Sequence, residues 1–567
     1  MPASLLEGTR FATLGPEATE QTTVQFASQT VSPTNNLATI SAAADRVVDL
    51  SQAVDCRPLT ADPFPQLPQL TSGRTIAMPQ DDSESYSLEG LNGVATLNTS
   101  QSLVAISLAG KSAKSSTHVV AGQLSSGQFH PLFTVPQKCM ILDHHEHSGT
   151  TLFLARVEDA ENSRMELVIM GGLPEGRPLE LYRRTLPSEM RFTGDLRMQQ
   201  GKLITGVFAV LRTANDIVGL DLAKGKILYR IPIGYTGEPQ CLRFSGSGKW
   251  MVVADRHAFH LFEALTGEPV GTVPLQHCSL PGLCLHPDGR RIGFCSGRDW
   301  GVWDIVDARM LAEHVSARTL GNEILGWLGQ DCFFTSEGVL FDSAMSTNLW
   351  SYVHQHRDFR ILWQNTLLVQ SRQQANRFTA LPVPDDVAFS RVIRMDQEKR
   401  EAVLAPGDAV SIEVPRSPSY TSAELATALG KTVLRAGLKV DQQSKLVLTA
   451  RFGKGEKQPV STSGPIYGLN SQVDSPNPTL TVQRFTCTLE LWKDGVLVWS
   501  EKQDTETGSL YAEAGETVMD TISRYETPNA LYLERLQFPT VLYRNLPAVG
   551  WGESRLQNDQ WLTEKAF

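Results

Sequence analysis

Five consecutive residues, Asp143-His144-His145-Glu146-His147, form the densest set of metal-binding side chains in the chain. Imidazole and carboxylate donors suit zinc, nickel or copper. Neighbouring residues on one turn cannot all point at one ion. The segment also lies between two apolar runs, Met140-Ile141-Leu142 and Thr151-Leu152-Phe153-Leu154. It is therefore expected to be an exposed polar turn between strands. His144, His145 and His147 stand as the metal candidates, and no cofactor is expected. Gly246-Ser247-Gly248-Lys249 has the ending of a phosphate-binding loop, but Arg243 occupies the place of its first glycine. Trp250 replaces the hydroxyl residue that would hold magnesium. The sequence contains no G-x-S-x-G elbow and no H-E-x-x-H helix. Gly550 and Gly552 lack the third glycine of a dinucleotide fingerprint.

The elements that carry these residues must be sought in 567 residues, room for about three domains. The chain is 41% hydrophobic and 20% charged, enough to bury a core, and disorder throughout is excluded. Its 51 basic and 61 acidic residues give a net charge of −10, which argues against broad nucleic-acid binding. No apolar run reaches the length of a membrane-spanning helix. The opening residues lack a basic start followed by an apolar core, so no export signal is expected. The eight cysteines form no C-x-x-C pair, and several sit in apolar runs, as in Gly293-Phe294-Cys295. They read as reduced core residues, which favours a cytoplasmic protein.

Residues 1–71 are rich in Thr, Ser, Ala, Gln and Pro and read as a flexible arm, with a short helix conceivable around Ala42 to Leu50. From 72 to 390, short apolar runs alternate with Gly, Asp, Ser and Pro, the pattern of many short strands. The segment Phe244 to Val270 slides 41 residues onto Leu285 to Leu311 without a gap. Gly248 meets Gly289, and Phe262-Glu263 meets Trp303-Asp304. Asp221 and Asp342 extend the series in both directions. These four carboxylates are open to two readings: hydrogen bonding in a strand-end turn, or a charged ring that attracts a basic partner.

The turn His286-Pro287-Asp288-Gly289-Arg290 and the dipeptide Trp303-Asp304 resemble WD40 propeller blades. That resemblance implies a mainly β fold: a WD40-like β-propeller of roughly seven blades. Closure is expected from a strand near Gly73 to Met78, or Gly93 to Leu97, completing the blade that ends near Leu381.

Residues 401–567 read as a small α+β domain with an aromatic tail. Thr421-Ser422-Ala423-Glu424 is a capping box, Leu425, Leu429 and Val433 mark the apolar face of a helix, and Gly437 is its stop. Lys493-Asp494-Gly495 signals a hairpin, with Trp492 and Trp499 beside it as a cross-strand pair or an interaction patch. A poorer helix is expected over Ala514 to Arg524, and Trp551 and Trp561 are expected to pack the tail back onto the body. The arrangement resembles large bacterial WD40-repeat proteins, such as those common in planctomycetes, with an α+β domain after the propeller.

The functional expectation is a non-catalytic interaction scaffold with a protein partner, no nucleic acid and no integral membrane segment. Two alternatives stand beside it: an enzyme or small-ligand sensor using the propeller channel, and a cell-envelope component.

Overall fold

The computed structural model describes most of the chain from Ile40 to Ala566. Residues 1–39 lie outside the described residues, as do 65–73, 78–85, 111–116, 124–127, 172–178, 191–200, 234–241, 276–280, 354–359, 371–376, 463–478, 511–519, 544–549 and a number of shorter stretches.

Between Arg74 and Pro382 the described strands group into seven sheets, each built on four antiparallel strands. In chain order they are blade I (86–135), II (139–185), III (201–232), IV (242–274), V (282–315), VI (324–353) and VII (360–382). Blade VII holds three consecutive strands and takes its fourth, Arg74–Ala77, from the start of the chain. This is the expected closing strand, whereas Gly93 to Leu97 belongs to the first strand of blade I. Arg74–Ala77 also lies against Gln128–Val135 at the outer edge of blade I, so the first and last sheets meet. The architecture is that of a β-propeller.

The repeat in sequence is a repeat in backbone. Each acidic position ends the third strand of its blade, and four residues later the chain turns left-handed. Gly225 and Gly267 have φ of 66° and 67°, and Ala308 and Ser346 have φ of 51° and 53° at the same point of blades V and VI. Apolar strands stack between neighbouring blades. Trp250, Phe259, Leu283 and Phe294 share one cluster between IV and V, and Trp300, Trp327, Phe333 and Phe341 share another between V and VI. Each such side chain contributes about 1.5–3 kcal/mol by leaving water.

Two segments outside the blades' own strands, one before blade I and one after the α+β unit, are built into this body. The strand Ser41–Val47 pairs in parallel with Lys226–Pro232, the outer strand of blade III. Residues 52–64 then run as a strap over blades IV and V. Thr272 N–H donates to the Val54 carbonyl at 2.7 Å, and Leu59 N–H to the Ile305 carbonyl at 2.8 Å. The expected flexible arm is thus corrected over 40–64, and the expected helix around Ala42 to Leu50 is instead a strand. This segment has too little apolar surface for a core of its own. Docked on the propeller it buries Ile40, Val48 and Leu59 and satisfies edge groups that would otherwise face water. After the α+β unit, the hairpin Gly552–Gln557 and Gln560–Ala566 extends blade VI to six strands. Trp551 is 1% exposed beside Trp350, and Trp561 packs 4.8 Å from Tyr352. The tail therefore belongs to the propeller rather than to the preceding α+β unit.

Helix α1 (Asp386–Gln397) follows blade VII, with Asp385 accepting from the Val387 and Ala388 N–H groups. The next unit is a sheet in the order Lys439–Val440, Ala409–Glu413, Leu446–Thr462, Thr479–Lys493, Val496–Asp504. Helix α2 (Ser422–Arg435) packs on one face through Leu425, Leu429 and Val433, and helix α3 (Ala530–Arg535) sits beside it. The capping box is present: the Thr421 hydroxyl accepts from Glu424 N–H at 3.2 Å, and Thr421 N–H donates to the Glu424 carboxylate at 2.8 Å. Gly437, at φ 75°, ends the helix, and Asp494 and Gly495, at φ 50° and 79°, make the hairpin turn. The helix expected over Ala514 to Arg524 falls largely outside the described residues.

Candidate interaction surfaces

The histidine-rich segment is a strand, Cys139–His147, and not a turn. Asp143 faces Leu154, His144 faces Phe153 and His145 faces Leu152 across the ladder, so successive side chains alternate between faces. That alternation, with the apolar partners opposite, keeps the segment in the sheet and prevents convergence on one ion. Asp143 links blades instead, accepting from Leu203 N–H at 2.7 Å and lying 3.5 Å from Lys202 Nζ. The side chains of Glu146 and His147 lie outside the described residues. Among those described, no three potential ligands gather at a point.

The repeated acids cap turns. Asp221 accepts from Lys224 N–H, Asp304 from Val306 and Asp307 N–H, and Asp342 from Met345 N–H, all at 2.9–3.0 Å. Glu263 accepts from the Thr266 hydroxyl at 2.8 Å. Asp304 is 2% exposed and also holds Arg290 at 2.7 Å. Phe262 is fully buried, and Trp303 packs edge-on to Phe259 at 6.2 Å.

The loop resembling a phosphate cradle already holds an anion from the chain itself. One Asp62 oxygen accepts from Ser247 N–H at 3.1 Å and the Ser247 hydroxyl at 2.8 Å, while the Ser245 hydroxyl also donates to it. Glycine is required here: a Cβ on Gly246 would lie 2.1 Å from the Pro63 carbonyl, and one on Gly289 2.0 Å from the Asp62 carbonyl carbon. Gly248 has φ 82°.

One constellation escaped the sequence reading. Asp255, His260 and Thr272 form a chain: Asp255 Oδ2 to His260 Nε2 at 2.8 Å, and His260 Nδ1 to the Thr272 hydroxyl at 3.2 Å. The order is that of a proton relay. Its terminal hydroxyl accepts from Val54 N–H at 3.2 Å, and His260 is 4% exposed, so the strap seals the relay. Only the five-residue spacing of Asp255 and His260 on a turn and strand was available as a signal.

A second staple joins blades V and VI. His286, 2% exposed, touches Asp288 and the Gly329 carbonyl and packs edge-on to Trp327 at 4.7 Å. Burial works against the Asp288 carboxylate, but hydrogen bonds from His286 and Arg290 N–H and the charge of Arg291 hold its pKa well below the usual range.

The two tryptophans near the hairpin do not form a pair. Trp499 lies opposite Leu491 and packs edge-on to Phe538 at 5.5 Å, on the helix-covered side. Trp492 lies opposite Leu497, and its ring N–H donates to Glu490 at 3.2 Å. A register shift between them places the two rings on opposite faces, which overturns both the pair and the joint patch.

The C-terminal sheet is fastened to blade V. Arg298 forks onto Glu501 at 2.8 and 3.1 Å and donates to the Ser316 carbonyl, and Thr540 exchanges hydrogen bonds with Val315. Asp299 sits beside this junction. Burial pushes its pKa up to about 6, with Arg435 and Arg298 opposing and Glu313 reinforcing the shift. Where α2 meets the strand Leu446–Thr462 of the same sheet, an open groove of about 730 Å³ runs past Val414, Pro415, Ala423, Ala426, Arg451 and Phe452. It lies where Ala409–Glu413 ends and leaves its neighbour Leu446–Thr462. Their pairing stops at Glu413 and Thr449.

No family model matches the chain, and no curated protein matches it. Among solved structures it is similar to a chain of a mitotic checkpoint complex at 10% identity, covering 58% of this chain and 97% of that one with a TM-score of 0.35. It is similar to KlHsv2, with loop 6CD replaced by a Gly-Ser linker, at 11% identity, covering 52% and 90% with a TM-score of 0.34. It is also similar to Saccharomyces cerevisiae Sqt1 at 10% identity, covering 55% and 100% with a TM-score of 0.35. Likeness at this level carries no functional weight, and the propeller assignment rests on the order of the sheets.

Proposed function

We propose that the protein is an interaction scaffold: one closed ring of seven blades carrying a C-terminal α+β unit that binds a protein partner. The observation that carries this reading is the groove beside Arg451 and Phe452, on a unit clamped to blade V by Arg298 and Glu501. A rigid clamp lets the groove and the loops of the propeller act together, so two weak contacts reinforce each other through effective concentration. The buried relay at His260 and the turn-capping acids support a structural use of these polar groups. The described cysteines are thiols, with Cys139, Cys295 and Cys487 buried, and burial pushes Cys487 up to about 12. This supports a reducing, cytoplasmic setting.

The test is recovery of the intact chain from its native cells with quantitative mass spectrometry of what accompanies it. A partner retained in fixed ratio through size exclusion is expected. A chain that elutes alone under gentle conditions would contradict the reading. A chain cut after Pro384 is the wrong comparison, because it loses Trp551 and the outer hairpin of blade VI.

A further inference from the structure

We propose that the open edge of the strand Leu446–Thr462, over residues 450–457, takes up an extended acidic peptide as an added β-strand. The proposal rests on the scaffold reading and names the partner chemistry of its groove.

The strand is paired along one side with Thr479–Lys493. On its other side, Ala409–Glu413 pairs with it only at Val447, Leu448 and Thr449. Ser509–Leu510 pairs with it at Ser461 and Thr462. Between these two parallel partners no described strand covers residues 450–460. At about 3.3 Å per residue, that gap has room for a strand of ordinary length. The chain cannot fill it by extending Ala409–Glu413, because Pro415 follows, lacks an N–H and lines the groove.

The gap has the two parts that strand addition uses: a main-chain edge for affinity and a lined trough for side chains. The trough is shallow and mixed: Val414, Ala423, Ala426 and Phe452 suit small or branched aliphatic side chains, while Ser422 and Thr449 are polar and the exposed Glu413 carboxylate at its strand end is outnumbered by Arg451, Lys454 and Lys457. Along the edge, Arg451, Lys454 and Lys457 are exposed, with Glu456 the only carboxylate among them. Arg451 is held by Glu490 at 3.1 Å, while Lys454 and Lys457 make no ion pair among the described residues. Lysines and the register shift between Lys454 and Lys457 are the devices by which sheet edges repel neutral strands. The same charges favour an acidic strand, which makes the edge selective rather than closed.

The test uses the full chain and a fluorescein-labelled ten-residue peptide of alternating glutamate and valine, followed by anisotropy. Its backbone N-methylated form and a lysine–valine peptide are the controls. Saturable binding of the glutamate–valine peptide is expected, with loss on N-methylation. The double variant Lys454→Glu with Lys457→Glu changes only exposed side chains; it should weaken binding about tenfold and favour the lysine–valine peptide. Ala423→Glu, at an exposed first-turn position where an acid suits the helix, should weaken it severalfold by placing a carboxylate over the trough.

The proposal is overturned if binding does not saturate, if the N-methylated peptide binds equally, or if the double variant binds as before. It also falls if sedimentation shows that a second copy occupies the edge. A native partner retained undiminished by the double variant would leave the scaffold standing and remove this edge from it. Peptide binding by a chain that elutes alone from its native cells would do the reverse.

Discussion

The outer edges of blades III and VI are covered by the strands Ser41–Val47 and Gly552–Gln557, while the edge of the C-terminal sheet at 450–457 meets no described strand. The two covers work differently. The first, which continues from the strand on blade III into the strap over blades IV and V, is held by main-chain hydrogen bonds and by one carboxylate, Asp62, aimed at a glycine-containing turn. The tail on blade VI is held by buried rings and by Ser554, which accepts from the Trp350 ring N–H at 3.0 Å and donates to Asp385 at 2.9 Å. An exposed strand edge is a template for another chain. Where the protein covers such edges it stays a propeller, and the edge it leaves open is where recognition is expected.

Breaking the tail should have the largest effect. Trp551→Ala removes a fully buried ring between Trp350 and α1 and should cost about 3–5 kcal/mol, read as a lowered midpoint in denaturant unfolding. The clamp comes next. Arg298→Ala strands Glu501 beside blade V and should cost about 3 kcal/mol, with faster proteolysis between 386 and 401.

Asp299 sharpens the comparison through pH. Its folded pKa, about 6, lies above the unfolded value, so the folded protein holds the proton more tightly. Its contribution to stability is complete below about pH 4, declines as pH rises through about 6 and is absent above. The span is about 1–2 kcal/mol after solvent screening. Asp299→Asn should flatten that part of the profile, measured as unfolding free energy against pH. The smallest expected effect is in the strap. Asp62→Ala should cost about 1 kcal/mol and raise protease sensitivity around 52–64, leaving the melting of the blades nearly unchanged.

Much of the frame was legible because it is local or periodic. The period of 41 residues between Gly248 and Gly289 marked blades IV and V, and Thr421, Glu424 and Gly437 marked both ends of α2. The closing strand Arg74–Ala77 was legible as well, because a closed ring needs an early strand to complete the blade ending near Leu381. The strap and tail were harder to place because their stability comes from partners about 180 to 200 residues away. Nothing in Asp62-Pro63-Phe64 announces the turn at Ser245, and nothing in Ser554 announces Trp350. The candidate site was less legible still. Trp492 and Trp499 look paired by spacing, and only the register shift separates them. The open edge exists because Ala409–Glu413 stops early, which no motif encodes.

The contrast between covered and open edges is measured most directly by amide hydrogen exchange on the full chain. Lys226–Pro232 and Thr347–Val353 have strands on both sides and should exchange slowly throughout. Residues 450–457 should divide, with about half of their amides slow against Thr479–Lys493 and about half fast on the open side. Uniformly slow exchange at 450–457 would show the edge already filled and would contradict the account.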